Sequence, residues 1–165
     1  DALALANRWV EKGKASAEMM LAVAGAMTGN KQTARAIELA AKAKEAIAAS
    51  PKPEGVSDAD WQARQTRIAG RASWIAGVAH AAENRWAEAD KALREALPTI
   101  RDDQNVLAEA LFYLGVANYR LAEAGETSRV KDALEYSRQC AAIPGRFQEP
   151  ANTNVKAIRS RFRVQ

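Results

Sequence analysis

The stretch Ala72–Pro98, ASWIAGVAHAAENRWAEADKALREALP, constrains the fold of this chain more than any other. Two helical runs flank a turn at Asn84 and Arg85, and small residues recur on both: Gly77 and Ala79 before the turn, Ala89 and Ala96 after it. A helix pair nests closely only where the crossing point lacks bulk, so this spacing predicts antiparallel helices with Gly77 set against Ala89. Trp86 and Leu93 are expected to fill the space at the flanks. The same use of small residues runs through the chain, since 38 of its 165 residues are alanine. Alanine has the best helix propensity and strand-favouring residues are thinly spread, which predicts an all-α protein without a sheet. The length suits a single domain.

Punctuation divides the chain into about eight helices. Apolar residues up to Val10 recur at helical spacing and Gly13 breaks the run. Helices are expected from Ser16 to Thr28 and from Gln32 to Ala49, separated by the turn at Gly29–Lys31. The loop SPKPEG, Ser50–Gly55, follows, because its two prolines remove backbone donors and disfavour helix before them. Ser57 then offers a cap, with Asp58 and Asp60 in the first turn, to a helix of some 26 residues reaching Glu83. A shorter helix from Ala87 to Leu97 is expected to stop near Pro98. Further helices are predicted for 103–122 and 129–143, the second closed by Pro144 and Gly145. Pro150 suits the first turn of a last helix, whose apolar face is Ala151, Val155, Ile158 and Phe162.

The pattern around Gly77 returns in ALFYLGVANYRL, where Leu114 precedes Gly115 and Ala117 follows, with Ala133, Leu134, Tyr136 and Cys140 on the next helix. By the same rule Gly115 is expected to face Ala133. A weaker copy has Val23 and Ala24, then Ala36, Ile37, Ala40 and Ala43. This resembles the tetratricopeptide repeat (TPR), a helix pair recurring over about 34 residues. The match departs from strict periodicity: Gly77 and Gly115 are 38 residues apart, and insertions at Ser50–Asp60 and Glu123–Ser128 absorb the excess. Three degenerate repeats are expected at 14–50, 57–98 and 104–144, with a closing helix at 150–164, in one domain over 1–165. A helical repeat of another family, stacked by the same packing rule, stays open as an alternative.

The resemblance implies a right-handed superhelix, an α-solenoid, acting as a scaffold for protein–protein interaction, without catalysis. Its first helices would line a concave groove for a peptide segment or partner domain, with Trp74, Val78, Phe112, Val116, Tyr119 and Arg120 facing it. Some members grip a terminal carboxylate with lysine, asparagine and arginine. Here Leu21, Gly25, Ile75, Glu109 and Tyr113 stand at the corresponding places, so an apolar or mixed segment is the expected ligand. The resemblance also implies a bacterial source, where export of such proteins is common. The chain begins at Asp1 without methionine and already reads as helix, so it is expected to be part of a longer polypeptide.

Little in the sequence points to chemistry. His80 is the one histidine and has no acid, nucleophile or metal pattern beside it, so a packing role is expected. Cys140 sits at a small-residue position and no base accompanies it. GAMTGNKQT, Gly25–Thr33, has the wrong spacing for a phosphate loop and no preceding strand. No catalytic residue, metal, cofactor or small-molecule substrate is expected. The net charge is +4, but only Lys156, Arg159, Arg161 and Arg163 form a one-sided group. A solvated face on a terminal helix explains them better than nucleic acid, which remains the alternative partner. The longest uncharged run, Met19–Asn30, has 12 residues, short of the roughly 20 that span a bilayer.

Overall fold

The computed structural model describes residues 2–164. Among them it is all-helical: α1 Ala2–Glu11, α2 Ala17–Gly29, α3 Thr33–Ala49, α4 Asp58–Ala82, α5 Trp86–Ile100, α6 Gln104–Glu123, α7 Val130–Ala141 and α8 Gln148–Phe162, with one 3-10 turn at Thr127–Arg129 before α7. Three starts are capped by side chains that accept backbone N–H groups otherwise left unpaired. The Ser16 hydroxyl accepts from Met19 N–H, Ser57 from Asp60, and the Asp103 carboxylate from Asn105 and Val106.

One turn is used four times. After α1, α2, α4 and α6 the chain enters a residue of positive φ: Gly13 at 66°, Lys31 at 60°, Asn84 at 59° and Gly125 at 114°. Each time, that residue's N–H donates to the carbonyl three residues back, and the next N–H donates to the carbonyl five residues before it. The second bonds are Lys14 to Trp9, Gln32 to Met27, Arg85 to His80 and Glu126 to Leu121. This is the Schellman closure, which satisfies two of the orphan carbonyls at a helix end. Glycine takes the left-handed position at two of the four; in the turn after α2 that position falls on Lys31 and not on Gly29.

Each helix packs on the next, and the even-numbered helices also touch one another in series, α2 on α4, α4 on α6 and α6 on α8. Among the described residues α3, α5 and α7 make no such contacts with one another. The core runs between these elements. Leu21, Val23, Leu39, Ile47, Ile68 and Ile75 fill the space among α2, α3 and α4. Leu93, Ala96, Ile100, Ala110 and Leu114 continue it through α5 and α6.

Two expected contacts are displaced by one helical turn. Gly77 faces Leu93, not Ala89: a Cβ added to Gly77 would stand 2.5 Å from Leu93 Cγ. Gly115 likewise faces Ser137, not Ala133, with Ser137 Oγ 2.4 Å from such a Cβ. The crossing needs only one partner to be small, because a glycine forms a hole that a leucine can fill. Ala89 and Ala133 are themselves fully buried. Pro98 also fails to stop α5, which continues to Ile100. There the proline forgoes the bond its own N–H would give to the Arg94 carbonyl, and α5 runs two residues past it.

Candidate functional site

A cavity of about 340 Å³ lies among the even-numbered helices. Gly25, Thr28 and Gly29 come to it from α2, Trp74, Ile75, Val78 and Ala82 from α4, and Glu109 and Tyr113 from α6. Arg146, in the turn between α7 and α8, completes the lining. Glu109, Tyr113 and Arg146 also border a second cavity of about 280 Å³, with Phe112, Phe147 and Pro150. Arg146 therefore stands between two spaces that share a carboxylate and a phenol.

Glu109 is the charged residue that the helices bring to this cavity. Its side chain is 15% exposed, and its Oε1 accepts a hydrogen bond from Arg146 Nη2 at 2.8 Å. Burial pushes the Glu109 carboxyl above the usual carboxylate range, against the smaller opposing pull of the Arg146 charge and the Trp74 indole. Trp74 Nε1 is buried beside this carboxyl, but the geometry falls short of a hydrogen bond and leaves the N–H unpaired. Burial, and then the Glu109 charge, raise Tyr113 in turn.

Aromatic rings surround the pair. Phe112 stacks on Phe147 at 5.1 Å and meets Tyr113 edge-on at 5.4 Å, while Tyr113 and Phe147 are 6.3 Å apart. The Arg146 guanidinium lies 4.5 Å from the centre of the Phe147 ring. A cation held between a carboxylate and a ring face is favoured by both the charge and the ring quadrupole.

The six residues expected in a groove do not converge on one place. Trp74 and Val78 line the first cavity and Phe112 the second. Val116 is half-buried on α6. Tyr119 presents its ring edge-on to Phe162 of α8 at 6.1 Å. Arg120 is exposed, lies 5.7 Å from the Tyr119 ring centre and donates to Glu123 at 2.9 Å. Glu109 and Tyr113, noticed in the sequence only as mismatches to a carboxylate clamp, are central, and Arg146 was not singled out at all. Their helical spacing of four was visible; the arrival of Arg146 from a distant turn was not.

Other candidates have structural explanations. Asp90, 5% exposed, accepts from Arg94 Nε at 2.8 Å, Asn118 Nδ2 at 2.6 Å and Arg129 Nη1 at 2.8 Å. Arg94 goes on to Asp132 at 2.6 Å and the Tyr136 hydroxyl at 2.8 Å. This network ties α5, α6 and α7 together with its polar atoms paired, the condition under which buried charge is tolerated. His80 is held below its usual range by burial first and by Arg85 second, and its Nδ1 is buried without a partner. Cys140 is fully buried, bonded to the Ala108 carbonyl at 3.2 Å, and burial pushes its thiol up to about 11. No group of three or more His, Cys, Asp or Glu is placed to hold a metal among the described residues. No described helix is long and apolar enough to cross a membrane. A larger cleft of about 510 Å³ on the other side of Trp74 sets Arg67 and Arg71 against Asp102 and Asp103, a mixture that selects no ligand charge.

No protein-family model, curated protein or solved structure matches this chain.

Proposed function

We propose that the chain is a non-catalytic helical-repeat module of TPR type, which holds a partner's peptide segment against the face shared by α2, α4 and α6. The observation that carries this reading is the cavity lined by three alternate helices and by no residue of α3, α5 or α7. Two regularities support the repeat: the Schellman closure that ends α1 recurs at the ends of α2, α4 and α6, and a glycine of α4 and of α6 receives a side chain from the helix that follows each. Pairs α2–α3, α4–α5 and α6–α7 would then be the units, stacked with their first helices inward as a right-handed superhelix, with α8 closing the row.

Gly25 provides the means of testing it. A Cβ there meets nothing nearer than Ile75 Cδ1 at 3.9 Å, so a long side chain can be placed in the cavity without disturbing the core. A random peptide library selected on the native chain should yield an apolar or mixed consensus that binds it and fails to bind Gly25→Arg, with unchanged circular dichroism. Equal binding by the two proteins, or no enrichment over the unselected library, would remove the groove reading.

Nucleic acid is a second reading with one observation behind it. Lys156, Arg159, Arg161 and Arg163 are exposed and enter none of the ion pairs found among the described residues. Binding of a duplex or single strand should then fall steeply between about 50 and 200 mM salt through counterion release. Salt-independent retention, or none at low salt, would discard it.

A further inference from the structure

From the arrangement around Glu109 we infer that the groove holds a subsite for a cationic side chain, an arginine of the partner segment, and that Arg146 occupies this subsite when no partner is bound. The inference rests on the groove reading above and specifies its ligand chemistry.

Three observations converge on the site. The only charged side chain contributed by a helix to the two cavities is Glu109, and it is 15% exposed. A carboxylate so placed is costly to leave bare and selects for positive charge. The guanidinium lies 4.5 Å from the centre of the Phe147 ring, on which Phe112 stacks, and an aromatic face attracts cations and not anions. The Trp74 indole N–H is buried beside Glu109 in a geometry short of a full hydrogen bond, so the carboxylate has capacity left for a further donor.

Arg146 has the character of a replaceable occupant. Its side chain is 75% exposed and makes one hydrogen bond to Glu109, with most of its five donors unused there. It is carried on the short turn behind Pro144 and Gly145, the glycine at φ 148°, and not on a helix. Both cavities are lined by Arg146 together with Glu109 and Tyr113, so moving its side chain enlarges the space beside Glu109. A partner arginine lying on the face shared by α2, α4 and α6 then engages Glu109 with two parallel N–H···O bonds, where Arg146 makes one.

The test uses three nine-residue peptide libraries with a fixed central residue, arginine, its neutral isostere citrulline, or glutamate, binding being read by fluorescence polarisation. On the native chain the arginine library should bind best. Arg146→Ala should bind it about tenfold tighter, because a competing internal occupant is gone. Glu109→Gln placed in the Arg146→Ala background should lose that gain, and citrulline should never show it. Both positions are compatible with folding, one exposed and one replaced isosterically, and melting temperatures verify this. Equal affinity for arginine and citrulline, no tightening in Arg146→Ala, or preference for glutamate would overturn the subsite. Gly25→Arg separates the two readings: if it abolishes binding while the central residue makes no difference, the groove stands and the cation subsite falls. If it leaves binding intact, the groove itself falls.

Discussion

Gly77 and Leu93 meet so closely that a single methyl group cannot be placed between them. A Cβ on Gly77 would lie 2.5 Å from Leu93 Cγ, 2.7 Å from its Cδ2 and 3.2 Å from its backbone nitrogen. Two effects oppose each other in Gly77→Ala. Alanine gains about 1 kcal/mol of helix propensity, while overpacking a fitted core typically loses about 1–3 kcal/mol. Leu93 is fully buried and its backbone is also in the way, so the clash wins and the variant is expected to be destabilised. Gly25→Ala should change sign: with only Ile75 Cδ1 at 3.9 Å, it gains up to about 1 kcal/mol. Urea titration of the two variants checks both, and stabilisation by Gly77→Ala would show that α4 and α5 are not in this contact.

Asp90 is the pivot of the polar network, with three donors on its two oxygens. Removing it takes one partner each from Arg94, Arg129 and Asn118, which keep Asp132, Glu126 and the Leu114 carbonyl, so Asp90→Ala is expected to lose about 1–3 kcal/mol. Lys42→Ala breaks an exposed pair with Glu38 and should lose under about 1 kcal/mol. Chemical denaturation of these two variants distinguishes a cooperative staple from a decorative one.

The contrast between these sites shows what the sequence could disclose. Caps such as Ser57 and breaks such as Gly13, Asn84 and Gly125 act through neighbours a few residues away, so the helices were legible to within two or three residues. The Gly77 contact was legible in kind but not in register, because which turn of α5 crosses α4 depends on the tilt of whole helices. The Glu109–Arg146 pair spans 37 residues and exists only because the α7–α8 turn comes back to α6. No local pattern marks it. Asp90 and Asn118 were hidden for the same reason, since a polar residue in a helix looks solvated until its partners on other helices are placed.

Cys140 should resist modification while the chain is folded. Its thiol is fully buried and raised to about 11, so at pH 8 almost none is thiolate. Alkylation by iodoacetamide should be slow in buffer and fast in denaturant. Because the folded value is raised, the stability it reflects is present below about 9 and is lost as pH climbs toward 11.

His80 gives the opposite pH dependence. Burial and Arg85 hold it below the usual 6.5 of a histidine, so folding favours the neutral ring. Its contribution is fully present above 6.5 and is lost as pH falls through the lower folded value. Glu83 and Glu88 oppose the shift without cancelling it. His80→Phe removes the titration and the unpaired Nδ1, which should recover about 1 kcal/mol of buried polar loss. Melting curves from pH 5 to 7.5 should be flatter for the variant, and an unchanged slope would assign the acid sensitivity elsewhere.

Glu109 tests the site itself through stability alone. Its raised carboxyl means that the fold favours the protonated form, so its contribution is fully present below 4.5 and is lost as pH rises through the folded value. Ionising Glu109 places a charge in a half-dry site, offset in part by Arg146. Glu109→Gln replaces it with a neutral side chain and leaves behind an Arg146 that is 75% exposed and easily solvated. The variant should match or exceed the native melting temperature at pH 7 and lose that advantage near pH 4. Arg146→Ala should do the reverse at pH 7, lowering the melting temperature slightly because it strips the carboxylate of its counter-charge. If both variants instead fall together at pH 7, Glu109 and Arg146 are a structural pair, and the cation position is not open to a partner.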